Sequence, residues 1–166
     1  MFSINDYIIY GRTGVCKITD IKKVKFGTGD EKEYYIIKPI FDKNATIYAP
    51  IDSKAIKIKP VMTIEEVKDL IKNIPDEETI WIEDNNLRKE EYTKIIKNGN
   101  RNELVKLLKT LHLKKEDQDK IGKKLNINDE KIMNDAEKLL HEELALVLNI
   151  KLEDVVPFII GKLNID

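Results

Sequence analysis

The chain has 166 residues, of which 42% are apolar and 36% charged, and its net charge at neutral pH is −1. This composition is typical of a folded globular protein and excludes a disordered one, while the absence of any run of about 18 apolar residues leads us to expect no membrane span. The single cysteine, Cys16, excludes an internal disulfide and a cysteine-based zinc site.

Short strand-like runs separated by turn residues occupy the first 60 residues. They are rich in β-branched and aromatic side chains, and glycine, aspartate and asparagine cluster between them. Five such runs predict a small, strongly bent β-barrel of the SH3 or Tudor type over residues 1–60. The predicted strands are Tyr7–Tyr10, Val15–Val24, Lys32–Ile40, Thr46–Ala49 and Ala55–Ile58.

Two details of the first hairpin add to this prediction. The short loop Gly11–Gly14 joins the first two strands, and its glycines permit a tight reversal of the backbone. Cys16 falls inside the second strand, where we expect it to act as a small buried hydrophobic residue rather than a reactive thiol.

The hydrophobic period changes from strand-like to helical after Pro60. Thr63 and Glu66 form a capping box, which predicts a helix from there to about Asn73, and Pro75 ends it. Gly99 is a predicted C-cap, and Asn100 caps a helix to about Leu113. The other predicted helices are Leu87–Lys97, Glu116–Leu125, Asp129–Leu148 and Glu153–Leu163. Proline is tolerated only in the first turn of a helix, so Pro157 predicts that the last helix starts later than Glu153 or kinks.

The predicted fold class is therefore α+β in two domains. Residues 1–60 form a β-barrel, and residues 61–166 form a compact all-α domain of five or six helices.

Charge is unevenly distributed along the chain. Residues 1–60 carry a net charge of +4, residues 61–86 carry −6, residues 87–124 carry +6 and residues 125–166 carry −5. A basic segment between two acidic ones predicts one basic face. The same pattern fits a solvated helix surface rich in lysine, so composition alone leaves both interpretations open.

The sequence contains few features that are typical of an enzyme. His112 and His141 lie on different predicted helices without metal-binding spacing, and no phosphate-binding loop, dinucleotide motif or nucleophile motif occurs. We expect no catalytic activity, no cofactor and no metal. An organised pocket that holds either histidine beside carboxylates would favour an enzyme instead.

Residues 6–18, with the sequence DYIIYGRTGVCKI, resemble the first strands of the CarD/CdnL family of bacterial transcription regulators. In that family an apolar run ends in tyrosine and a glycine-containing loop leads to a second strand, and here Tyr10 and Gly14 fill those places. Residues 33–38, 46–50 and 142–146 resemble later segments of the family. The resemblance implies a Tudor-like domain that binds RNA polymerase.

The resemblance also implies how the barrel binds. Family members dock on the polymerase β subunit by extending a sheet edge, with basic side chains nearby. The corresponding positions here are Lys23, Lys25, Glu33, Tyr34 and Tyr48. The alternative interpretation is that these lysines are solvated and protect an edge strand from aggregation.

Trp81, the only tryptophan, lies in the acidic stretch just before the basic segment. Without the resemblance, a core residue of the helical domain is the simpler interpretation. In the family, a tryptophan ahead of a basic helix presses on a base step at the upstream edge of the promoter bubble. The resemblance therefore implies DNA contact by Trp81, Arg88, Lys89 and Lys94, although family members usually follow this tryptophan directly with basic residues and residues 82–86 here contain none.

The N-terminal residues show no secretory signal, so we expect a cytoplasmic protein. The resemblance implies a monomeric transcription regulator that reaches the nucleoid through the polymerase. It implies binding to the RNA polymerase β subunit and contact with upstream promoter DNA, which would modulate open-complex stability. The alternative is a polymerase-binding adaptor whose helical domain contacts protein rather than DNA.

Overall fold

The computed structural model describes residues 1–165, and the side chains of residues 1–163. It divides into two compact units, the first Met1–Val61 and the second beginning at Met62. Asp166, the last residue of the predicted helical domain, lies outside the described residues. An antiparallel sheet forms the first unit and helices form the second, which confirms the α+β class.

The first unit is built on one antiparallel sheet, which has five strands in the described part of the chain. The strand order is β4-β3-β2-β1-β5, so β4 and β5 stand at the two ends. Closure of this sheet into a barrel stays a prediction. The strands are β1 (Tyr7–Tyr10), β2 (Gly14–Val24), β3 (Lys32–Pro39), β4 (Ile47–Pro50) and β5 (Ile58–Pro60).

The fifth strand was predicted over Ala55–Ile58 but lies at Ile58–Pro60, so the two ranges share only Ile58. Pairing with β1 decides the position: Ile58 lies opposite Tyr10, and Pro60 lies opposite Ile8. The β1–β2 connection is a single 3₁₀ turn over Gly11–Thr13.

The core of the first unit lies along β2 and its neighbours. Thr19 interrupts the register between β2 and β3 as a bulge, which bends this long strand. Cys16 is fully buried, which confirms its role as a small hydrophobic residue. The cluster consists of Ile8, Tyr10, Cys16, Ile18, Tyr35, Ile37 and Ala49.

Five α-helices lie in the described part of the second unit: α1 (Ile64–Lys72), α2 (Asn85–Asn98), α3 (Arg101–Lys120), α4 (Ile127–Leu148) and α5 (Val155–Ile165). Local capping residues bound several of them as predicted. The Thr63 hydroxyl accepts a hydrogen bond from the amide of Glu66, and the Asn100 side chain accepts one from the amide of Glu103, each at 3.1 Å. Gly99 ends α2 with a φ of 71°, a left-handed conformation that glycine adopts without strain.

The prediction of a separate helix over Glu116–Leu125 is wrong. Helix α3 continues without a break from Arg101 to Lys120 and ends just before Gly122, which has a positive φ. The intervening residues Leu113, Lys114 and Lys115 all favour helix, so nothing local stops the helix after Leu113.

Two hydrophobic clusters hold the helices together. The larger unites α2, α3 and α4 around Tyr92, Leu107, Leu111 and Ala136. The smaller unites α1, α4 and α5 around Val67, Leu144 and Val155. Helix α4 contributes to both and therefore joins them. None of the helices among residues 1–165 combines the length and apolarity needed to cross a membrane.

Candidate functional site

Three aromatic side chains meet on the surface of the first unit, and we call them the aromatic patch: Phe26, Tyr34 and Tyr48. Their ring centroids are 5.3, 5.6 and 6.3 Å apart in edge-to-face arrangements. Phe26 and Tyr48 remain 56% and 44% exposed. Exposed aromatic clusters of this kind are typical of protein-binding surfaces.

The sheet register creates the aromatic patch. Tyr34 lies opposite Pro50 and Ile36 lies opposite Tyr48 in the β3–β4 pair. Residues two apart on a strand share one face, so Tyr34 and Tyr48 are diagonal neighbours on that face. Because β4 is an end strand of the sheet, the patch borders an edge to which a partner strand could add.

The other residues predicted to bind polymerase occupy a different position. Lys23 and Glu33 lie opposite each other across β2 and β3, and strand alternation turns them to the face opposite Tyr34. Lys25 is exposed beside Phe26, between the end of β2 and the turn at Gly27. Sequence reasoning missed Phe26, although an apolar aromatic residue directly before the turn at Gly27 was a visible signal.

Hydrogen bonds fix the backbone next to Trp81. The amide of Ile80 donates to the Thr110 hydroxyl at 2.9 Å, and the Ile80 carbonyl accepts from the Tyr92 hydroxyl at 2.8 Å. Tyr92 is fully buried. Burial raises the pKa of Tyr92 to about 12, so its hydroxyl keeps the proton that it donates.

Arg88 binds the backbone that follows Trp81 in the chain. Its Nη1 donates to the carbonyls of Ile82 and Glu83 at 2.9 and 3.3 Å. Its Nε and Nη2 donate to the two carboxylate oxygens of Asp129, both at 2.9 Å, and Nη2 also donates to Asn85 at 2.8 Å. All five N–H groups of the guanidinium thus have protein acceptors.

The burial of this ion pair bears on the predicted DNA contact by Arg88. The Arg88 and Asp129 side chains are 4% and 3% exposed. A guanidinium that is buried and fully bonded inside the protein is poorly placed to reach a phosphate. The structure therefore favours a role for Arg88 within the protein.

The indole of Trp81 is half-buried and packs against the larger helical cluster. Its Nε1 donates to Glu83 Oε1 at 3.1 Å. The Arg88 Cζ lies 4.3 Å and the Lys114 Nζ lies 4.5 Å from the ring centroid. Trp81 is therefore neither a fully buried core residue nor a freely exposed wedge.

A cavity of about 390 Å³ opens beside this ring, and we call it the lysine cavity. Its lining includes Trp81 and the three lysines Lys114, Lys123 and Lys124, together with the carboxylates of Glu83 and Asp129. Sequence reasoning named no DNA contact in the last turns of α3 or in the loop after it. The only signal was the +6 charge of residues 87–124, which did not separate these lysines from others.

The remaining predicted DNA contacts lie on α2. Lys89 is exposed. Lys94 is also exposed and forms ion pairs with Glu90 at 3.6 Å and Glu91 at 3.1 Å. The hydrogen bond to Glu91 is the main cause of a raised pKa of Lys94.

The two histidines line a second cavity of about 550 Å³, which we call the apolar cavity. His112 Nε2 lies 3.0 Å from Glu137 Oε1, and burial lowers the pKa of His141. Most of the remaining lining is aliphatic and comes from α1, α3, α4 and α5. Within residues 1–165, no group of three or more His, Cys, Asp or Glu side chains is arranged to hold a metal ion.

Comparison with protein families gives two matches. Residues 2–62 match the CarD-like/TRCF RID domain, and residues 67–159 match the CarD C-terminal domain. No curated protein matches the chain. Proteins of the CarD-like family are transcription factors that interact with RNA polymerase. Because the two matches cover both units in chain order, the chain belongs to the CarD/CdnL family.

Proposed function

We propose that this protein binds the RNA polymerase β subunit through a Tudor-like domain of residues 1–60 and contacts upstream promoter DNA through residues 61–166, which modulates open-complex stability. The observation that carries the DNA contact is the position of Trp81 beside Arg88, Lys114 and the lysine cavity. A monomer located with the polymerase on the nucleoid is part of the same proposal.

The aromatic patch and the edge of β4 support the polymerase contact. A strand of the β subunit that pairs with β4 would gain main-chain hydrogen bonds, and the rings of Tyr34, Tyr48 and Phe26 would supply selective apolar contact. Lys25, next to Phe26, would add charge at the rim. Lys23 and Glu33, on the opposite face, would contribute less.

Alanine variants of the aromatic patch test this contact. Because Phe26 and Tyr48 are exposed, their removal should leave the fold intact and weaken binding to the β-subunit lobe by about tenfold each. Tyr7→Ala is the matched control, since Tyr7 is an exposed tyrosine on β1 of the same sheet. Equal binding by the Phe26, Tyr48 and Tyr7 variants would contradict this surface.

The lysine cavity supports the DNA contact. An aromatic ring can stack on an unstacked base and stabilise it by about 1–3 kcal/mol. Lys114, Lys123 and Lys124 line the cavity beside that ring, and their positive charges would neutralise phosphates bound there. Lys89 and Lys94 remain proposed contacts at the exposed surface of α2.

Salt dependence separates these groups of lysines. About three neutralised phosphates predict a slope near −3 for log affinity against log salt in the polymerase–promoter complex. Lys114→Ala, Lys123→Ala or Lys124→Ala should each flatten the slope by up to about one. Lys94→Ala should flatten it less, because Glu90 and Glu91 already pair with that lysine.

The alternative function is a polymerase-binding adaptor whose helical unit contacts protein. The half-buried state of Trp81 and the apolar cavity are the observations that favour it. A salt slope near zero, unchanged in all lysine variants, would select the adaptor and contradict the proposed DNA contact.

A further inference from the structure

We infer that Arg88 is a positioning residue, anchored by Asp129, that orients the Trp81 ring for its contact with DNA and makes no DNA contact itself. This inference rests on the proposed function of Trp81. It concerns how the ring is held, whereas the proposed function concerns what the ring touches.

The first step is the position of the guanidinium. Its carbon lies 4.3 Å from the centroid of the Trp81 ring, within the range of a cation–π contact. The same group donates to the carbonyls of Ile82 and Glu83, which directly follow Trp81. Arg88 therefore contacts both the ring and the backbone that carries it.

The second step is the rigidity of Arg88. Both carboxylate oxygens of Asp129 accept from it at 2.9 Å, which fixes the plane of the guanidinium. Asp129 lies in the first turn of α4, so the pair also connects α2 to α4. Lysine has no planar fork and could not keep both the carboxylate and the ring contact.

The third step is the charge balance. The carboxylate of Asp129 neutralises Arg88 inside the protein, so the guanidinium adds little attraction for a phosphate. A ring that is already oriented loses less conformational freedom on binding. The benefit of Arg88 should therefore appear only through Trp81.

The experiment uses the intrinsic fluorescence of the full-length protein, because Trp81 is its only tryptophan. In the free protein, Arg88→Lys and Asp129→Asn should shift the emission maximum and raise quenching by acrylamide. Arg101→Lys is the matched control: it alters the Arg101–Glu143 ion pair at the start of α3, and should leave Trp81 emission unchanged. Arg101 lies about 20 Å along the helix from Lys114, which contacts the ring.

The second arm measures the stability of the polymerase–promoter complex. Arg88→Lys should weaken the effect of the protein by about threefold to tenfold, the range expected for a lost cation–π and orienting contact. In a Trp81→Ala background the same substitution should change nothing, because its effect passes through the ring. A merely structural role would weaken both backgrounds equally.

The outcomes distinguish this inference from the proposed function. If Trp81→Ala weakens the complex but Arg88→Lys changes neither fluorescence nor complex stability, the positioning role is wrong. An equal loss in both backgrounds also overturns it. If Trp81→Ala leaves the complex unchanged, the proposed DNA contact fails and the inference fails with it, whatever the fluorescence shows.

A milder variant covers the case in which Arg88→Lys does not fold. Asn85 is exposed and accepts one hydrogen bond from Arg88 Nη2. Asn85→Ala should therefore leave the fold intact and produce a smaller change in fluorescence and complex stability in the same direction. No change in either measurement, with the fold intact and Trp81→Ala active in weakening the complex, would contradict the inference.

Discussion

At the scale of single residues, Trp81 joins the core of the helical unit to its surface. One part of the ring packs against the larger helical cluster, while Arg88 and Lys114 contact it and Glu83 accepts its N–H. In the proposed function the ring acts as a wedge against DNA, and these contacts would hold it in place. The ring can therefore contribute to both folding and binding.

The half-buried state of Trp81 predicts an intermediate stability effect. Trp81→Ala should lower the free energy of unfolding by about 1–3 kcal/mol, less than for a full core aromatic residue and more than for a surface one. Urea denaturation followed by circular dichroism measures this without the lost fluorophore. Trp81→Phe, which keeps a ring, should lose less. A loss below about 0.5 kcal/mol would show that the ring does not pack.

Glu142 predicts a pH effect in the same unit. Burial raises the pKa of its carboxyl, and Lys138 opposes this shift. The folded protein thus holds the proton more tightly than the unfolded chain, so the stability from this group is complete below the unfolded pKa and is lost as pH rises through the folded one. Glu142→Gln should raise the free energy of unfolding at pH 7.

The gain from Glu142→Gln should shrink as the pH is lowered towards the ordinary carboxyl range. Thermal unfolding of parent and variant at a series of pH values measures it. Glu116→Gln, at an exposed position on α3, should show no comparable gain at pH 7. A gain that is constant with pH would contradict ionisation of Glu142 as its cause.

At the scale of elements, local sequence signals predicted the ends of several helices. The position of β5 was decided by contacts between residues distant in the chain. The caps at Thr63, Gly99 and Asn100 depend only on neighbouring residues, so sequence revealed them. The position of β5 depends on pairing with β1, which is distant in the chain. One helix was predicted to end at about Leu113 and another to begin at Glu116, although no glycine or proline lies between them. The prediction therefore missed that α3 is one continuous helix.

In the candidate site, too, the sequence revealed local features but not contacts between distant residues. Trp81 was visible as the single tryptophan beside a basic segment. The partner of Arg88 is Asp129, 41 residues away, and no local pattern connects the two. The sequence therefore predicted Arg88 as a surface cation, whereas the fold buries it.

Helix α3 offers a sharp test of its continuity. Lys115 is exposed and lies in the middle of the helix, where proline would remove a hydrogen bond and clash with the preceding turn. Lys115→Pro should cost about 3 kcal/mol of unfolding free energy, and Lys115→Ala should cost almost nothing. A similar, small effect of both substitutions would indicate a linker at this point instead.

At the scale of the whole molecule, the two units differ in charge. The net charge is +4 for residues 1–61 and −5 for residues 62–166. A helical unit with net negative charge should bind free DNA weakly and without sequence preference, because phosphate contacts depend on positive charge. On this account the polymerase contact brings Trp81 to the promoter.

Because the first unit is compact, we expect it to fold and to bind RNA polymerase without the second unit. A fragment of residues 1–62 should fold and co-purify with the β-subunit lobe of RNA polymerase, because its core cluster lies entirely within it. A Tyr48→Ala fragment should be folded but retained less. A folded fragment that fails to bind would contradict the proposal that the first unit by itself binds the polymerase.

The lifetime of promoter open complexes tests the central claim most directly. It should be measured at saturating concentrations of the parent protein and of Trp81→Ala, after folding and polymerase binding of the variant have been verified. The account predicts that the parent changes the lifetime and that Trp81→Ala loses most of this effect while still bound. A folded, polymerase-bound Trp81→Ala variant that changes the lifetime as much as the parent would contradict the account.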